Sequence, residues 1–287
     1  MAAAAHSSIQ AQTQAPAQTL TQAPRRPPIV FIHGMWCGPE VFDHYRDFFA
    51  AEGFTCYAPP LRHHDKADNR DELPGTIGLL DYARDLELFI RTLPAKPILI
   101  GHSMGGLLVQ MLCARGLAEK AVLLCPASPA GIHALTLSVV RSFFAVMSRW
   151  GFWKKPNKLS PAAAKYALFN QMPQEQIPAA MAAMRYESGR AAAEIGFWLV
   201  DPGKASAVNA ELVTLPMLVV SGLNDRITPA KVHRKIAARY GAEYRGYPHH
   251  AHWLIAEPGW EKIAQDILHW LDAEAANLRQ EDSQKKD

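Results

Sequence analysis

The chain has 287 residues, of which 49% are apolar and 20% are charged, and its formal net charge is +3. This length and apolar content suit one α/β domain that carries an insertion and buries a sizeable core. A mildly basic balance without clustered charge excludes the usual nucleic-acid-binding classes, so we expect no nucleic-acid partner. Since no apolar run is long enough to cross a bilayer, we also expect no integral membrane segment.

The four cysteines, Cys37, Cys56, Cys113 and Cys125, form no CxxC pair and lack the spacing of a zinc finger. We therefore expect no disulfide framework, no metal site and a reducing, cytoplasmic location. Residues 1–27 consist mainly of Ala, Gln, Thr and Pro, and Gln and Thr interrupt each apolar run. This composition predicts a disordered leader rather than a signal peptide, with an unusual transit or export segment as the alternative.

Short apolar runs and longer amphipathic runs alternate from residue 28 onwards, which is the pattern of alternating strands and helices. In chain order the pattern predicts a strand at 29–32, a helix at 38–53, a strand at 54–61, a loop at 62–74, a helix at 76–93, a strand at 97–100, a helix at 104–115, strands at 121–125 and 217–221, a helix at 229–240, a strand at 242–247 and a helix at 259–276. Such an alternation predicts an α/β fold with a mostly parallel sheet of about six strands and helices on both faces.

One long stretch, residues 127–212, breaks this alternation because it contains helical patterns rich in Ala, Met and Phe and no good strand. We interpret it as a helical cap inserted into the sheet domain. The predicted α/β core is then formed by residues 28–126 and 213–276. Residues 277–287 are predicted to be a disordered tail.

The sequence GHSMG, which contains Ser103, has the form G-x-S-x-G. It follows a predicted strand and opens a predicted helix at Met104, which is the place of a nucleophile elbow. Ser103 is therefore the candidate nucleophile, and the backbone N–H of Met104 would face the oxyanion that forms beside it. The alternative is a glycine-rich helix start in which Ser103 is the N-cap.

A serine hydroxyl needs a neighbouring base, and three histidines, His249, His250 and His252, follow the last predicted strand. We favour His252 because it directly precedes the apolar run at 253–255, which would anchor its loop, whereas the other two would lie at the rim. Asp225 follows the preceding strand in a Gly/Asn turn and is the candidate acid that orients the base. Its alternative role is that of a turn residue or helix cap.

The first predicted strand ends in the sequence HGMW, which begins at His33. A second oxyanion donor is expected from such a loop beside the elbow, and we assign it to the amide of Met35, with the Met104 amide as its partner. His33 itself is expected to have a structural role beneath this loop.

Four apolar side chains are candidate substrate contacts, namely Trp36, Phe143, Met147 and Trp253. The aromatic and Met-rich segment that contains Phe143 and Met147 suggests an apolar substrate. Packing against the sheet is the alternative role for these side chains, and core packing is the alternative for Trp36.

Four motifs in this order resemble the α/β-hydrolase superfamily, and most of all its esterase, lactonase and monoacylglycerol-lipase-like branches. They are HG at 33–34, GHSMGG at 101–106, SGLND at 221–225 and HAHW at 250–253. The resemblance implies a Ser103–Asp225–His252 triad and an oxyanion hole built from the amides of Met35 and Met104. It also implies a cap at the place of the predicted insertion and a reaction that needs no cofactor.

The resemblance further implies a hydrolase that cleaves a small to medium apolar acyl ester, a lactone or a monoglyceride, as a monomer or homodimer. The chain departs from the family at residues 1–27, where no β-hairpin pattern precedes the first strand, and at Pro59–Pro60 after the second. Two alternatives remain open. One is a cofactor-free lyase or oxygenase in which His252 activates the substrate, and the other is a ligand-binding member without catalysis.

Overall fold

The computed structural model describes residues 26–65 and 74–284 and, beyond residue 276, the backbone alone. The predicted leader lies outside the described residues except for its last two. Among the described helices, none combines the length and the apolarity that a membrane-spanning segment requires.

The centre of the molecule is a six-stranded sheet in which every pair of neighbouring strands is parallel. Numbered in chain order with two short strands of another sheet, its strands are β1 (Ile29–Ile32), β2 (Cys56–Tyr57), β3 (Ile98–His102), β4 (Lys120–Leu124), β7 (Met217–Gly222) and β8 (Glu243–Tyr247). Their order across the sheet is β2-β1-β3-β4-β7-β8. This confirms the predicted fold class, and β1, β3, β4 and β7 are buried along their whole length, as strands covered on both faces must be.

Helices cover the two faces of this sheet. Those of the predicted core are α1 (Asp43–Ala51), α2 (Leu79–Ile90), α3 (Met104–Cys113), α8 (Ala230–Tyr240) and α9 (Trp260–Gln284). The stretch between β4 and β7 contains α4 (Leu137–Met147), α5 (Pro161–Ala167), α6 (Ile177–Ala182) and α7 (Gly189–Gly196). Contrary to prediction, this stretch also contains two short antiparallel strands, β5 (Pro156–Asn157) and β6 (Glu187–Ser188).

Three predicted elements differ in extent from those observed. The strand predicted at 54–61 pairs at only two residues, because Pro59 and Pro60 lack the N–H groups that would continue the ladder. The helix predicted at 38–53 begins with a 3₁₀ turn at Pro39–Phe42 before α1 starts. The helix predicted at 259–276 extends to Gln284, because the sequence after residue 276 is rich in good helix formers.

Parallel pairing places the carboxyl ends of β1, β3, β7 and β8 at one edge of the sheet. Ile32 lies opposite Gly101 in the register of β1 and β3, and Gly222 lies opposite Tyr247 in that of β7 and β8. Loops that leave these four strands therefore start close together, at the edge where open α/β sheets bind ligands.

Candidate active site

Ser103 lies at the junction of β3 and α3 in a left-handed backbone conformation, with φ 56° and ψ −120°. Such a conformation costs a non-glycine residue about 1–3 kcal/mol and persists only where the surroundings hold it. Here the Ser103 N–H donates to the carbonyl of Leu124 at 3.0 Å, and the Ser103 carbonyl accepts from the N–H of Ala127 at 2.8 Å. The Ser103 side chain makes no capping hydrogen bond to α3, so the helix-cap alternative is not observed.

Glycines bring this elbow against the neighbouring strands. A Cβ on Gly105 would lie 2.1 Å from the carbonyl oxygen of Ile32, so α3 crosses β1 at a distance that only glycine allows. A Cβ on Gly34 would lie 2.8 Å from the Cβ of Ser103. The loop after β1 therefore lies directly beside the candidate nucleophile.

The three residues predicted as a triad meet in one hydrogen-bonded row. Nε2 of His252 lies 3.0 Å from Oγ of Ser103, and Nδ1 of His252 lies 2.7 Å from Oδ2 of Asp225. The His252 and Asp225 side chains are almost fully buried, whereas Ser103 remains partly accessible. This geometry permits a proton to pass from the hydroxyl to the imidazole while the carboxylate holds the ring.

Asp225 is surrounded by hydrogen-bond donors. Its Oδ1 accepts from the backbone N–H groups of Ile227 and Thr228, each at 2.8 Å, and the Thr228 hydroxyl lies 2.8 Å from Oδ2. Burial opposes ionisation of this carboxyl, but the interaction with His252 and the donated hydrogen bonds outweigh it and hold the pKa of Asp225 below its ordinary value. Asp225 is therefore a carboxylate at neutral pH.

His102 and Thr228 support this row, and the sequence analysis missed both. His102 lies 2.8 Å through Nε2 from the backbone carbonyl of His252, which it can only donate to. Burial and the neighbouring His252 lower the pKa of His102 to about 3, so it is a neutral donor. The Thr228 hydroxyl lies 3.0 Å from Nδ1 of His252. The sequence signals that could have found them are their positions, since His102 directly precedes Ser103 and Thr228 follows Asp225 by three residues.

One prediction about the neighbouring histidines is wrong. His250 was expected at the rim, but it is buried and its Nδ1 lies 3.2 Å from Oε2 of Glu257. The same carboxylate accepts the N–H of Ala251 at 2.8 Å, so the pair fixes the loop that carries His252. His249 is exposed, as predicted.

Met35 and Met104, whose amides are the predicted oxyanion donors, both border the cavity at Ser103. Nε2 of His33 accepts the N–H of Leu61 at 3.1 Å, so the ring proton lies on Nδ1, which donates to the carbonyl of Gly34 at 2.9 Å. Since C=O and N–H point in opposite directions across a trans peptide, the Met35 N–H points away from His33. Within the described residues, neither this N–H nor that of Met104 has an acceptor in the chain.

A cavity of about 280 Å³ opens above Ser103 and is lined mainly by apolar side chains. Three of the four predicted substrate contacts, Trp36, Phe143 and Met147, border it. Trp36 and Phe143 also lie against each other, with ring centroids 5.8 Å apart. The cavity therefore offers an apolar compartment directly beside the candidate nucleophile.

Trp253, the fourth predicted contact, does not border this cavity. Its ring lies edge-on against His102 and Phe169, with centroids 5.6 and 5.1 Å away. It borders a second cavity, and Trp36 lines both cavities. Trp253 therefore packs on His102 outside the lining of the first cavity, although it follows His252 directly in the sequence.

The sequence of this chain matches a known family over most of the chain's length. The sequence model of the alpha/beta hydrolase family matches residues 29–265. The chain belongs to this family.

Individual relatives of this α/β hydrolase are distant. The chain is 25% identical to a monoacylglycerol lipase of Mycolicibacterium smegmatis over 255 residues, which are 85% of this chain and 87% of the lipase. A methylesterase from Arabidopsis superposes with a TM-score of 0.68 at 16% identity, covering 86% of this chain and 99% of its own. A monoacylglycerol lipase from Paleococcus ferrophilus gives 0.61 at 20% identity, covering 86% and 95%.

One group of side chains in this α/β hydrolase has the spacing of metal ligands. Donor atoms of Cys125, Asp225 and His233 lie within 4.8 Å of one another, the single such group among the described residues. Burial raises the pKa of the Cys125 thiol well above its ordinary value, and Nδ1 of His233 is 2.7 Å from Oγ of Ser221. Since Asp225 is also fully engaged, the chemistry of this group does not favour a cation.

Proposed function

We propose that this α/β hydrolase is a serine hydrolase that cleaves carboxylic esters through an acyl-enzyme on Ser103. The observation that carries the proposal is the continuous hydrogen-bonded row from Asp225 through His252 to Ser103, which ends in an apolar cavity. A buried carboxylate, a histidine and a serine in this arrangement have the roles of acid, base and nucleophile in acyl transfer.

In the proposed reaction Oγ of Ser103 attacks the ester carbonyl carbon, and its proton moves to Nε2 of His252. Asp225 stabilises the resulting imidazolium. The N–H groups of Met35 and Met104 would bind the oxyanion, each lowering the barrier by about 3 kcal/mol. The imidazolium then protonates the leaving alcohol, and a water molecule, activated by the same base, hydrolyses the acyl-enzyme.

The apolar cavity favours a small to medium apolar acyl ester, a lactone or a monoglyceride as substrate. The distant relationship to a monoacylglycerol lipase of Mycolicibacterium smegmatis supports the same range. In this proposal residues 127–212 act as a cap over Ser103, because Phe143, Met147 and other side chains of that stretch border the cavity.

A fluorescent fluorophosphonate and a chain-length series of p-nitrophenyl esters test the proposal. The wild type should react with the probe and hydrolyse the esters, whereas Ser103→Ala should do neither. His252→Ala should lose activity. His249→Ala is the matched control, since its side chain is exposed, and it should retain the turnover of the wild type.

Two results would contradict the proposal. Labelling that persists in Ser103→Ala would place the nucleophile elsewhere. Absence of any acyl-enzyme with activated esters, from a folded protein, would favour a lyase, an oxygenase or a binding protein on the same fold.

A further inference from the structure

An exposed apolar surface surrounds the mouth of the cavity at Ser103. Between residues 135 and 200, nine large apolar side chains are exposed, and together they are called the docking face: Leu135, Leu137, Val140, Phe144, Trp150, Trp153, Phe197, Leu199 and Val200. In the rest of the described chain only four large apolar side chains are exposed, and they lie at scattered positions. Leu137 is 91% exposed and Trp150 87% exposed. Such a concentration marks an interaction site on a soluble protein.

The docking face is continuous with the interior of the cavity. Four of its members, Leu135, Phe197, Leu199 and Val200, are exposed and also border the cavity, so they form its mouth. The rim of the cavity is therefore apolar both towards the cavity and towards the outside of the protein.

Helix α4 extends this rim outwards. Phe143 and Met147 border the cavity, and with about 100° per residue the stripe of Leu137, Val140 and Phe144 follows next around the helix. One apolar surface therefore runs from the cavity over the rim to the outside. A helix that is apolar on its solvent side as well as its inner side indicates a partner that is itself apolar.

The segment that carries the first six members of the docking face, Leu135 to Trp153, has charges of one sign. Residues 127–174 contain six Lys and Arg residues and no Asp or Glu. Three of these cations, Arg149, Lys154 and Lys155, are exposed directly beside Trp150 and Trp153. Within the described residues none of the three forms an ion pair. An apolar surface with tryptophans and unpaired cations at its edge is complementary to an anionic, apolar partner.

We propose that the docking face binds the surface of an anionic lipid bilayer, with the cavity mouth directed at the lipid. Tryptophan side chains favour the boundary between headgroups and acyl chains, lysines and arginines bind anionic headgroups, and the apolar residues enter the acyl region. A second copy of this chain fits less well, because a two-fold contact would bring the cations of both copies together. Binding itself does not depend on the proposed ester hydrolysis; access to a lipid-borne ester through this mouth does.

Vesicle flotation tests the proposal with the full chain. Vesicles of phosphatidylcholine alone are compared with vesicles of equal parts phosphatidylcholine and phosphatidylglycerol, at low and at high salt. The protein should float with the anionic vesicles, more weakly as salt rises, and much less with the neutral ones. Ser103→Ala should bind as the wild type does, so a failure of the hydrolase proposal would not affect this result.

Two pairs of variants separate the apolar and the ionic contributions. Trp150→Ser should weaken binding about tenfold or more, because it removes one large apolar contact. Lys154→Glu should weaken binding to anionic vesicles at least about fivefold. The matched controls are Leu88→Ser, whose side chain is exposed on α2, and Lys96→Glu, exposed on the core; both should bind as the wild type does.

Three outcomes would overturn the proposal. They are no flotation with either vesicle, equal flotation with neutral and anionic vesicles, and equal effects of the docking-face variants and their controls. A dimer that Trp150→Ser dissociates, from a protein that does not float, would assign the face to a second copy instead. Circular dichroism spectra that match the wild type exclude misfolding as the cause of lost binding.

Discussion

The hydroxyl of Ser103 lies 3.0 Å from Nε2 of His252, the proposed base, which follows 149 residues further along the chain. That base is placed by contacts to both of its ends: Asp225 holds Nδ1, and His102 holds the backbone carbonyl of His252. Because His102 is neutral and Asp225 is ionised, the Asp225 carboxylate places a negative charge beside His252 that can stabilise an imidazolium.

Asp225→Asn tests this charge. The amide can keep the shape of the site, but it removes the carboxylate and favours the wrong tautomer of His252. We expect kcat for a p-nitrophenyl ester to fall about 10⁴-fold, as such a change does in a serine protease, with little change in KM. A loss smaller than tenfold, measured on a folded variant, would contradict the role of Asp225.

Trp36 follows Met35 directly and has a left-handed backbone conformation, with φ 60°. The stretch between β4 and β7 holds it at two points. The Trp36 Nε1–H donates to Oδ1 of Asn157 at 2.8 Å, and the Trp36 carbonyl accepts the N–H of Arg185 at 2.8 Å. The conformation of the loop at Trp36, next to Met35, therefore depends on residues more than a hundred positions away.

A double-mutant cycle tests the dependence on Asn157. Asn157→Ala leaves the Trp36 Nε1–H and the Glu187 carbonyl without their partner, and Trp36→Phe leaves Oδ1 of Asn157 without its donor. Each should lower kcat about fivefold to tenfold. The double variant should lose little more than either single one, because both remove the same hydrogen bond. Effects that simply multiply would show that the two side chains act independently.

At the scale of elements, the site depends on how closely α3 approaches β1. The side chain of any residue but glycine at position 105 would meet the carbonyl of Ile32, and at position 222 that of Ala251. These approaches bring the elbow to the end of β1 and the His252 loop to the end of β7. The glycines at these two positions of the sequence motifs are therefore required by close packing.

Gly105→Ala tests the first approach. Its Cβ would lie 2.1 Å from the Ile32 carbonyl oxygen, so α3 must move, and we expect the free energy of unfolding to fall by about 3 kcal/mol. Gly196→Ala, at the end of α7, is the control, because its Cβ would meet nothing within 4 Å. It should be neutral or slightly stabilising. Urea unfolding curves that coincide for the two variants would contradict the close contact between α3 and β1.

Prediction of elements from the sequence worked best where burial is uniform. β1, β3, β4 and β7 were found because their apolar runs are buried on both faces. β5 and β6 were missed because two paired residues leave no periodic pattern. The end of α9 was missed because the sequence after residue 276 loses its apolar stripe while keeping good helix formers.

At the scale of the whole molecule, buried neutral histidines couple stability to pH. Burial lowers the pKa of His233 to about 4 and that of His102 to about 3, and it lowers the pKa of His33 well below its ordinary value. In the unfolded chain each takes up a proton near pH 6.5. Between pH 6.5 and about 4 the unfolded state therefore binds more protons than the folded state, and stability falls as pH falls.

His233→Asn tests how much one of these histidines contributes to the pH dependence of stability. Each such histidine contributes a slope of about 1.4 kcal/mol per pH unit within this window. The variant should therefore lose less stability than the wild type between pH 6.5 and about 4, while an amide can still bond Ser221. Exposed His249→Asn is the control, because its side chain meets solvent in both states. Parallel slopes in urea titrations of all three proteins would contradict the assignment.

The sequence by itself determined the fold class and the three residues of the hydrogen-bonded row. Strands that are buried on both faces need continuous apolar runs, and a tight elbow needs small residues around Ser103. Both requirements leave patterns in the local sequence. Only the tertiary structure decided that His102 bonds the His252 carbonyl, that His250 pairs with Glu257 and that Trp253 packs on His102. It also decided that α4 exposes an apolar stripe. Such contacts join distant parts of the chain, and a side chain's direction depends on neighbours that its local sequence does not specify.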